Sequence, residues 1–349
     1  MLVLGIESSC DETAVALVRD GREVVYSKVS SQIAQHAPFG GVIPEIAARE
    51  HLRVIAPMFA QMRAETGFGP RDIDLVAVTQ GPGLVGALLV GVSFAKGLSL
   101  ATGVPLQPVD HVHAHVHGAL LGMPAIADRD LYPMLSLVVS GGHTNLYFNR
   151  SPVEFELLAH TIDDACGECF DKVGKLLGLP FPGGPQIEKR AADGGNSSVI
   201  QMPRMVGARA RMEFSYSGLK TFVANLIAKE SRPIPPERLA DICAAFQDEA
   251  LDQLARKLSA ALAMRPETKR IVIAGGVAAN RRFRDIVAAR CSAPVHFPDL
   301  AYCSDNAAMI AALGHHEFEA RGRKSSPPES WDVYSRYPFE LHRGRLPSA

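Results

Sequence analysis

The segment Asp110–Gly118, "DHVHAHVHG", carries histidine at 111, 113, 115 and 117. Imidazole is the commonest protein ligand for transition metals, so four in seven residues raise the question of a metal site. In a strand all four would line one face. In a helix residues four apart share a face, which gives two pairs, His111 with His115 and His113 with His117. The short strand "PLQPVD" precedes the segment, so a helix is expected and the paired arrangement with it. A histidine pair one turn apart needs at least one more ligand. "CSDNAAMIAALG" (303–314) offers Asp305 just ahead of a run of small helical residues. The bland alternative is that these histidines only pack. H-x-x-x-H also invites a zinc-protease reading, but that motif needs glutamate in its second position as general base. Val112 stands there, so the protease has no base.

Three polar or glycine turns follow apolar strands. In "ESSCDET" (7–13) the hydroxyls of Ser8, Ser9 and Thr13, with nearby backbone N–H groups, are candidates for phosphate contacts. Asp11 and Glu12 are candidates for a base. In "VVSGGHTNL" (138–146) Gly141 and Gly142 permit close approach of a ligand to the backbone, and His143 and Thr144 offer polar contacts. In "AGGVAANRRFR" (274–284) Gly275 and Gly276 leave room for a flat ring, and Asn280 can orient a polar edge. None fits the dinucleotide or Walker fingerprints. Together they suggest a nucleotide held between two halves. "CGEC" (166–169) is a lone C-x-x-C far from a thioredoxin context and is expected to be incidental. Arg204, Arg209, Arg211, Lys220, Arg281, Arg282 and Arg284 form local basic clusters, expected either as solvated helix faces or as contacts to an RNA backbone.

These turns must be held by alternating elements. Strand, turn, strand opens the chain ("LVLGIESS", "ETAVALV"), with Asp20-Gly21 as a hairpin signal. Helical periodicity covers 43–65, and a buried strand ends at "QGPG". The run "LVGALLVGVSFA" (84–95) is too short to span a bilayer and reads as a buried helix. The layout restarts near 131 with "MLSLVVSGGHTNLYFN". Two α/β halves are therefore expected, 1–130 and 131–324, with an extended Pro/Ser/Arg-rich tail at 325–349. The 349 residues include 47% hydrophobic and 21% charged, with a formal net charge of −1. That composition supports a large core and excludes a globally basic nucleic-acid binder. Six scattered cysteines are no disulfide framework, and the N-terminus has no signal-peptide pattern. Both point to the cytoplasm.

The blocks "GIESSCDET", "GGVIPEIAAREH", "GPGLVGALLVG", "HVHAHVHG", "SGGHTNL", "FPGGP", "FSYSGLKT" and "GGVAANRRFR" resemble the TsaD family of tRNA N6-adenosine threonylcarbamoyltransferases, in its bacterial form. The resemblance runs from residue 2 to about 314. It implies the ASKHA (actin/hexokinase/Hsp70-like) α/β fold, two duplicated halves around a nucleotide cleft. It implies transfer of the threonylcarbamoyl group from threonylcarbamoyl-AMP to N6 of adenosine 37 in tRNAs that read codons beginning with A. It selects His111, His115 and Asp305 as ligands of one divalent metal, usually described as iron, with zinc the other choice, and leaves His113 and His117 to packing. Val138, Val139, Ser140, Gly141 and Gly142 correspond to the loop touching the adenylate, and Asp171, Gly184 and Asn280 to further substrate contacts. Glu188 stands where many relatives have aspartate. Asp11 and Glu12 correspond to acidic residues near the transfer site. The implied partners are tRNA, a TsaB-like paralogue, a TsaE-like ATPase and a separate synthase supplying the adenylate. No membrane is implied.

Three other readings compete. An ASKHA-type kinase would share the cleft without needing His111 and His115. A glycoprotein-directed metalloprotease lacks its glutamate. A non-enzymatic scaffold would have no use for the candidate catalytic residues.

Overall fold

The computed structural model describes residues 1–123, 128–205, 212–231 and 233–336. In chain order the elements begin β1 (Leu2–Glu7), β2 (Glu12–Arg19), β3 (Glu23–Ser31), α1 (Ile33–His36), α2 (Pro44–Thr66), β4 (Leu75–Gly81) and α3 (Val85–Thr102). They continue β5 (Leu106–Asp110), α4 (His111–Leu120), α5 (Asp128–Leu131), β6 (Met134–Val139), β7 (Thr144–Ser151), β8 (Glu154–Thr161) and α6 (Cys166–Leu176). Then come α7 (Gly183–Ala192), β9 (Glu213–Phe214), α8 (Ser217–Ile227), α9 (Pro236–Met264), β10 (Arg270–Ala274), α10 (Arg281–Arg290), β11 (Val295–His296) and α11 (Ala307–Ala320).

The chain divides into two compact units. Unit 1 comprises 1–130, 149–155 and 298–349; unit 2 comprises 131–148 and 156–297. Unit 1 holds a five-stranded sheet in the order β3-β2-β1-β4-β5. β1, β2 and β3 pair antiparallel, while β1, β4 and β5 run parallel. The β2–β3 turn places Asp20 at φ 51° and Gly21 at φ 68°, the double positive φ of a tight hairpin.

Alternation in β1 decides the layers. Leu2, Leu4 and Ile6 face α2 and α3, packing with Ile55, Met58, Phe59, Met62, Val92 and Ala95. Val3 faces the other way, into a core shared with Ala114 of α4 and residues 307–313 of α11. α11 lies unusually close to the strands. A Cβ added at Gly5 would meet the Ala307 carbonyl oxygen at 2.0 Å, and one at Gly314 would meet the Ala77 Cβ at 2.5 Å.

α3 departs from the expected buried helix. It extends to 18 residues and is, by length and composition, apolar enough to cross a membrane, with mean hydropathy 1.6. Only one face is buried, with Ala87, Leu88, Gly91, Val92 and Ala95, while Gly86, Leu89, Ser93, Gly97 and Leu100 are exposed. Gly91 is required there because a Cβ would sit 2.4 Å from Ser8 Oγ.

Unit 2 holds a six-stranded sheet in the order β11-β10-β6-β7-β8-β9. β10 runs parallel to both β6 and β11, so the turns after β6 and β10 emerge at the same end. Crevices outside such carboxyl ends are the usual ligand positions in open α/β sheets. Beyond α11 the chain runs along unit 1 without strand or α-helix, broken by a 3-10 turn at Pro328–Ser330, and residues 337–349 lie outside the described residues.

The backbone contact at Gly5 yields a stability prediction. Gly5→Ala is expected to cost about 3 kcal/mol, because helix backbone rather than a flexible side chain must move. Gly97→Ala, on the exposed face of α3 with nothing within 4 Å, is expected to be neutral or to gain up to about 1 kcal/mol. Urea denaturation of the two variants side by side checks the contrast, which fails if they behave alike.

Candidate metal centre and ligand loops

Segment 111–120 is a helix. Asp110 leaves β5 in an extended conformation and its Oδ1 accepts the His113 amide at 2.9 Å, capping α4. This satisfies one of the orphan donors of the first turn. His111 and His115 then share a face, their ring centroids 4.8 Å apart. α11 packs against α4 at Gly118, where a Cβ would meet Met309 Cβ at 2.9 Å. Asn306 caps α11, its Oδ1 accepting the Met309 amide at 3.0 Å, and Asp305 precedes that cap. The result is a cluster in which one donor atom from each of His111, His115 and Asp305 lies within 4.8 Å of the others. Asp305 Oδ1 is 3.2 Å from His115 Nε2 and 3.7 Å from His111 Nε2.

His113 and His117 point elsewhere. His113 stacks on Phe155 at 4.0 Å between centroids. His117 Nε2 is 2.8 Å from the Pro152 carbonyl oxygen, and burial pushes its imidazole down to about 4.

Glu7, to which the sequence reading gave no role, orients the cluster. It is fully buried at the end of β1. Its Oε2 is 3.0 Å from His111 Nδ1 and accepts Thr79 Oγ1–H at 2.6 Å, and its Oε1 accepts the Ser9 amide. This fixes the His111 ring with Nε2 turned toward Asp305. Burial pushes His111 down, but the charges of Glu7 and Asp305 outweigh it and hold the imidazole at about 9. Burial likewise pushes Glu7 up, yet the His111 charge and hydrogen bond leave its carboxyl below the usual range.

The residues fit a metal. Both ring nitrogens of His115 are buried without a hydrogen bond, a condition that costs about 1–3 kcal/mol when nothing fills it. Two imidazoles and one carboxylate, with open positions, suit zinc or the non-haem iron(II) facial triad. Carboxylate support behind one histidine is the common second layer of such centres.

The hydroxyls of Ser8, Ser9 and Thr13 are engaged within the protein. Ser8 Oγ donates to the Ala87 carbonyl at 3.0 Å, Ser9 Oγ lies 3.3 Å from His111 Nδ1, and Thr13 Oγ1 lies 2.7 Å from His51 Nδ1. All three side chains are buried. His51 Nε2 reaches the Cys10 carbonyl at 3.0 Å, pinning this turn to α2. Glu12 is half-buried at the start of β2. Burial, then the charges of Asp305, Asp11 and Glu7, push its carboxyl up to about 10.

In unit 2 the residues expected at the adenylate group around the ends of β6 and β10. Val138 and Val139 have fully buried side chains, so only their backbone can face a ligand. Gly141 and Gly142 have open space where a Cβ would be. Gly275, at φ 88°, lies against the Val139 carbonyl, and Gly167 against that of Ser140, each at a distance no Cβ tolerates. Thr144 is buried, its Oγ1 accepting the Cys166 amide at 2.9 Å. Asp171 Oδ1 accepts the Gly183 amide at 2.7 Å and so joins α6 to α7, while Gly184 has nothing closer than 4.0 Å to a Cβ. Glu188 Oε1 accepts the Arg281 amide at 2.8 Å. Asn280 caps α10 through the Phe283 amide and donates to Gln247 Oε1 at 2.9 Å. Glu188 and Asn280 therefore both hold the start of α10.

Cys166 and Cys169 lie in the first turn of α6, fully buried. Burial raises both thiols, Cys166 to about 12, which leaves no reactive thiolate. Arg282 pairs with Asp248, and Lys220 and Lys172 with Asp164. Arg209 and Arg211 lie outside the described residues. A cavity of about 690 Å³ between α9 and α10 is lined by none of the loop residues.

Residues 23–312 match the family described as TsaD: tRNA N6-adenosine threonylcarbamoyltransferase. The chain belongs to the TsaD family. Curated relatives of that name include one from Pelobacter propionicus, 47% identical over 91% of this chain and 93% of its own length. Another, from Bacillus subtilis, is 44% identical over 91% of each chain. TsaD proteins transfer a threonylcarbamoyl group to N6 of a tRNA adenosine, and this chain is a transferase of that kind. Among solved structures, full-length HypF in its phosphate- and nucleotide-bound form aligns with TM-score 0.61 at 13% identity, over 91% of this chain and 46% of that one. The activator of 2-hydroxyisocaproyl-CoA dehydratase from Clostridium difficile aligns with TM-score 0.52 at 14% identity, over 94% and 99%. These likenesses give the fold, which is ASKHA-type.

Metal binding must displace a proton. His111, held at about 9 without metal, is protonated at neutral pH, and coordination through Nε2 requires the neutral ring. Zinc affinity is therefore expected to rise with pH until about pH 9. Calorimetry at pH 7.5 in buffers of differing ionisation enthalpy should report about one proton released per zinc from His111, and up to one more from Glu12. Glu7→Gln should weaken zinc roughly 10–100-fold and flatten this pH dependence. Affinity that is independent of pH in the wild type contradicts the assignment.

Proposed function

We propose that the chain transfers the threonylcarbamoyl group of threonylcarbamoyl-AMP to N6 of adenosine 37, in tRNAs that read codons beginning with A. The observation carrying the proposal is the conjunction of family membership with an oriented His111–His115–Asp305 cluster. The nitrogen–carbon bond forms and the bond from the carbamoyl carbon to the phosphate oxygen breaks. AMP leaves, and the amine loses one proton.

His111, His115 and Asp305 would hold one divalent metal, iron(II) or zinc. When bound, the metal would supply Lewis acidity toward the carbamoyl carbonyl. Glu7 keeps His111 turned toward that position. The backbone of Val138 and Val139, with Ser140, Gly141 and Gly142, would receive the adenylate, where the two glycines leave room. Asp171, Gly184, Glu188 and Asn280 would border the nucleoside. Glu188 accepts the Arg281 amide, and Asn280 accepts the Phe283 amide and donates to Gln247, so their contribution is to hold the loop ahead of α10.

Asp11 and Glu12 are the candidates for accepting the amine proton. Burial, with the charges of Asp305, Asp11 and Glu7, holds Glu12 as a protonated acid at neutral pH. A divalent cation among them opposes that repulsion and favours the carboxylate. We place the reaction in the cytoplasm, with a TsaB-like paralogue, a TsaE-like ATPase and a separate adenylate synthase as partners.

Reconstitution with tRNA, threonine, bicarbonate, ATP and these partners should yield modified adenosine by mass spectrometry. No product in any combination overturns the proposal. Asp11→Asn or Glu12→Gln should slow transfer from preformed adenylate by about 10²–10⁴. If both retain the full rate, neither is the base.

A further inference from the structure

The cap of the metal-bearing helix is itself held, and the holder lies beyond the family match. Asp110 Oδ1 accepts the His113 amide, while Asp110 Oδ2 accepts the phenol of Tyr334 at 2.6 Å. The two carboxylate oxygens are thus divided between the helix and a residue 224 positions away. A capping carboxylate free to rotate releases its amide part of the time. One held at its second oxygen keeps the first on the helix.

Tyr334 is delivered by a strap along unit 1. The Ser326 amide donates to the Leu106 carbonyl at 3.1 Å. Lys96 Nζ donates to the Trp331 carbonyl at 3.1 Å and lies 4.3 Å from the centre of its ring. Gln80 Nε2 donates to the Asp332 carbonyl at 2.7 Å, and the Tyr334 amide donates to the Gln80 carbonyl at 3.3 Å. Trp331 and Val333 pack on the core below. Tyr334 then rests on Gly81, whose φ is 155° and where a Cβ would stand 2.3 Å from the Tyr334 oxygen and 2.9 Å from its ring. The seat exists because position 81 is glycine. The strap also continues directly from α11, which carries Asp305 at its front. One stretch of chain therefore supplies a ligand at one end and the hold on the helix of the other two ligands at the other.

We propose that Tyr334 is a positioning residue for the metal centre, acting through Asp110 on the first turn of α4. The proposal rests on the reading of His111, His115 and Asp305 as ligands, and its test separates the two.

Tyr334→Phe keeps the ring and its packing and removes only the hydroxyl. Full-length wild type, Tyr334→Phe, Asp110→Ala and the double variant are titrated with zinc against a competing chelator. Amide hydrogen exchange over 111–116 is followed in the metal-free protein. Tyr334→Phe is expected to weaken zinc about tenfold and to speed exchange of the His113 amide, with little change in melting temperature. The double variant should lose no more than Asp110→Ala alone, because both act through one carboxylate. Unchanged exchange at His113 in Tyr334→Phe overturns the proposal, as do fully additive losses. Faster exchange in a protein whose wild type binds no zinc overturns the metal reading and leaves the hold on α4 standing.

Discussion

The close seating of α11 on the sheet of unit 1 is the constraint from which the candidate metal centre follows. Asp305 is more than 180 residues from the histidines in sequence, and nothing local brings them together. What does so is the absence of side chains at the contacts. Gly5 admits the Ala307 carbonyl, Gly314 lies on Ala77, and Gly118 lies on Met309. Any Cβ at these points would push the helix outward by a substantial part of an ångström. A donor set spanning only 4.8 Å does not survive such a shift, since coordination distances tolerate about 0.2 Å. The small-residue run of α11 is therefore part of the metal site's geometry, although none of it is a ligand.

The second constraint is electrostatic. Glu7 and Asp305 act on His111, and Asp305, Asp11 and Glu7 act in turn on Glu12. Like charges about 4 Å apart repel by roughly 4 kcal/mol at an effective dielectric of 20. The metal-free protein answers by protonation: His111 keeps its proton well above neutral pH, and so does Glu12. A divalent cation provides the same relief without protons. Metal and protons thus compete for the same negative charges: those of Glu7 and Asp305 raise the imidazole against its burial, whereas burial first and then the charges of Asp305, Asp11 and Glu7 raise the carboxyl.

Much of the fold was legible from local pattern. β1 and β2 with their hairpin, α2 with Pro44 at its start, and the helical reading of 111–118 follow from alternation, turn chemistry and the preceding strand. Asp305 was suggested by residue type ahead of a helix, and the choice of the His111–His115 pair came from resemblance. What the sequence hid has a common character. Ser8, Ser9 and Thr13 look like phosphate-binding hydroxyls because their types are right, but burial turns each one inward to Ala87, His111 and His51. Glu7 reads as the polar end of an apolar strand, and only the tertiary pairing with His111 and Thr79 gives it a role. α3 reads as wholly buried because small and apolar residues dominate it, whereas periodicity buries only one face and leaves small residues such as Gly86 and Gly97 exposed on the other. Tyr334 sits in a segment without periodicity, and its partner is set by the fold rather than by spacing.

The residues singled out in the two units differ in kind. Unit 1 contributes charged and ligating side chains, held by buried hydrogen bonds from β1, β4 and α2. Unit 2 contributes chiefly backbone: valines whose side chains are in the core, glycines whose value is empty space, and two polar residues occupied in holding α10. Each suits its task. A metal needs a few donors fixed to fractions of an ångström, which takes rigid support behind each ligand. A large, flat and charged donor molecule needs room and many weak contacts, which exposed backbone beside glycine provides. Substitutions at Val138 and Val139 should therefore act through packing. Substitutions at Gly141 and Gly142 should act through occupancy of the ligand's space. The two pairs are adjacent in sequence yet report on different physics.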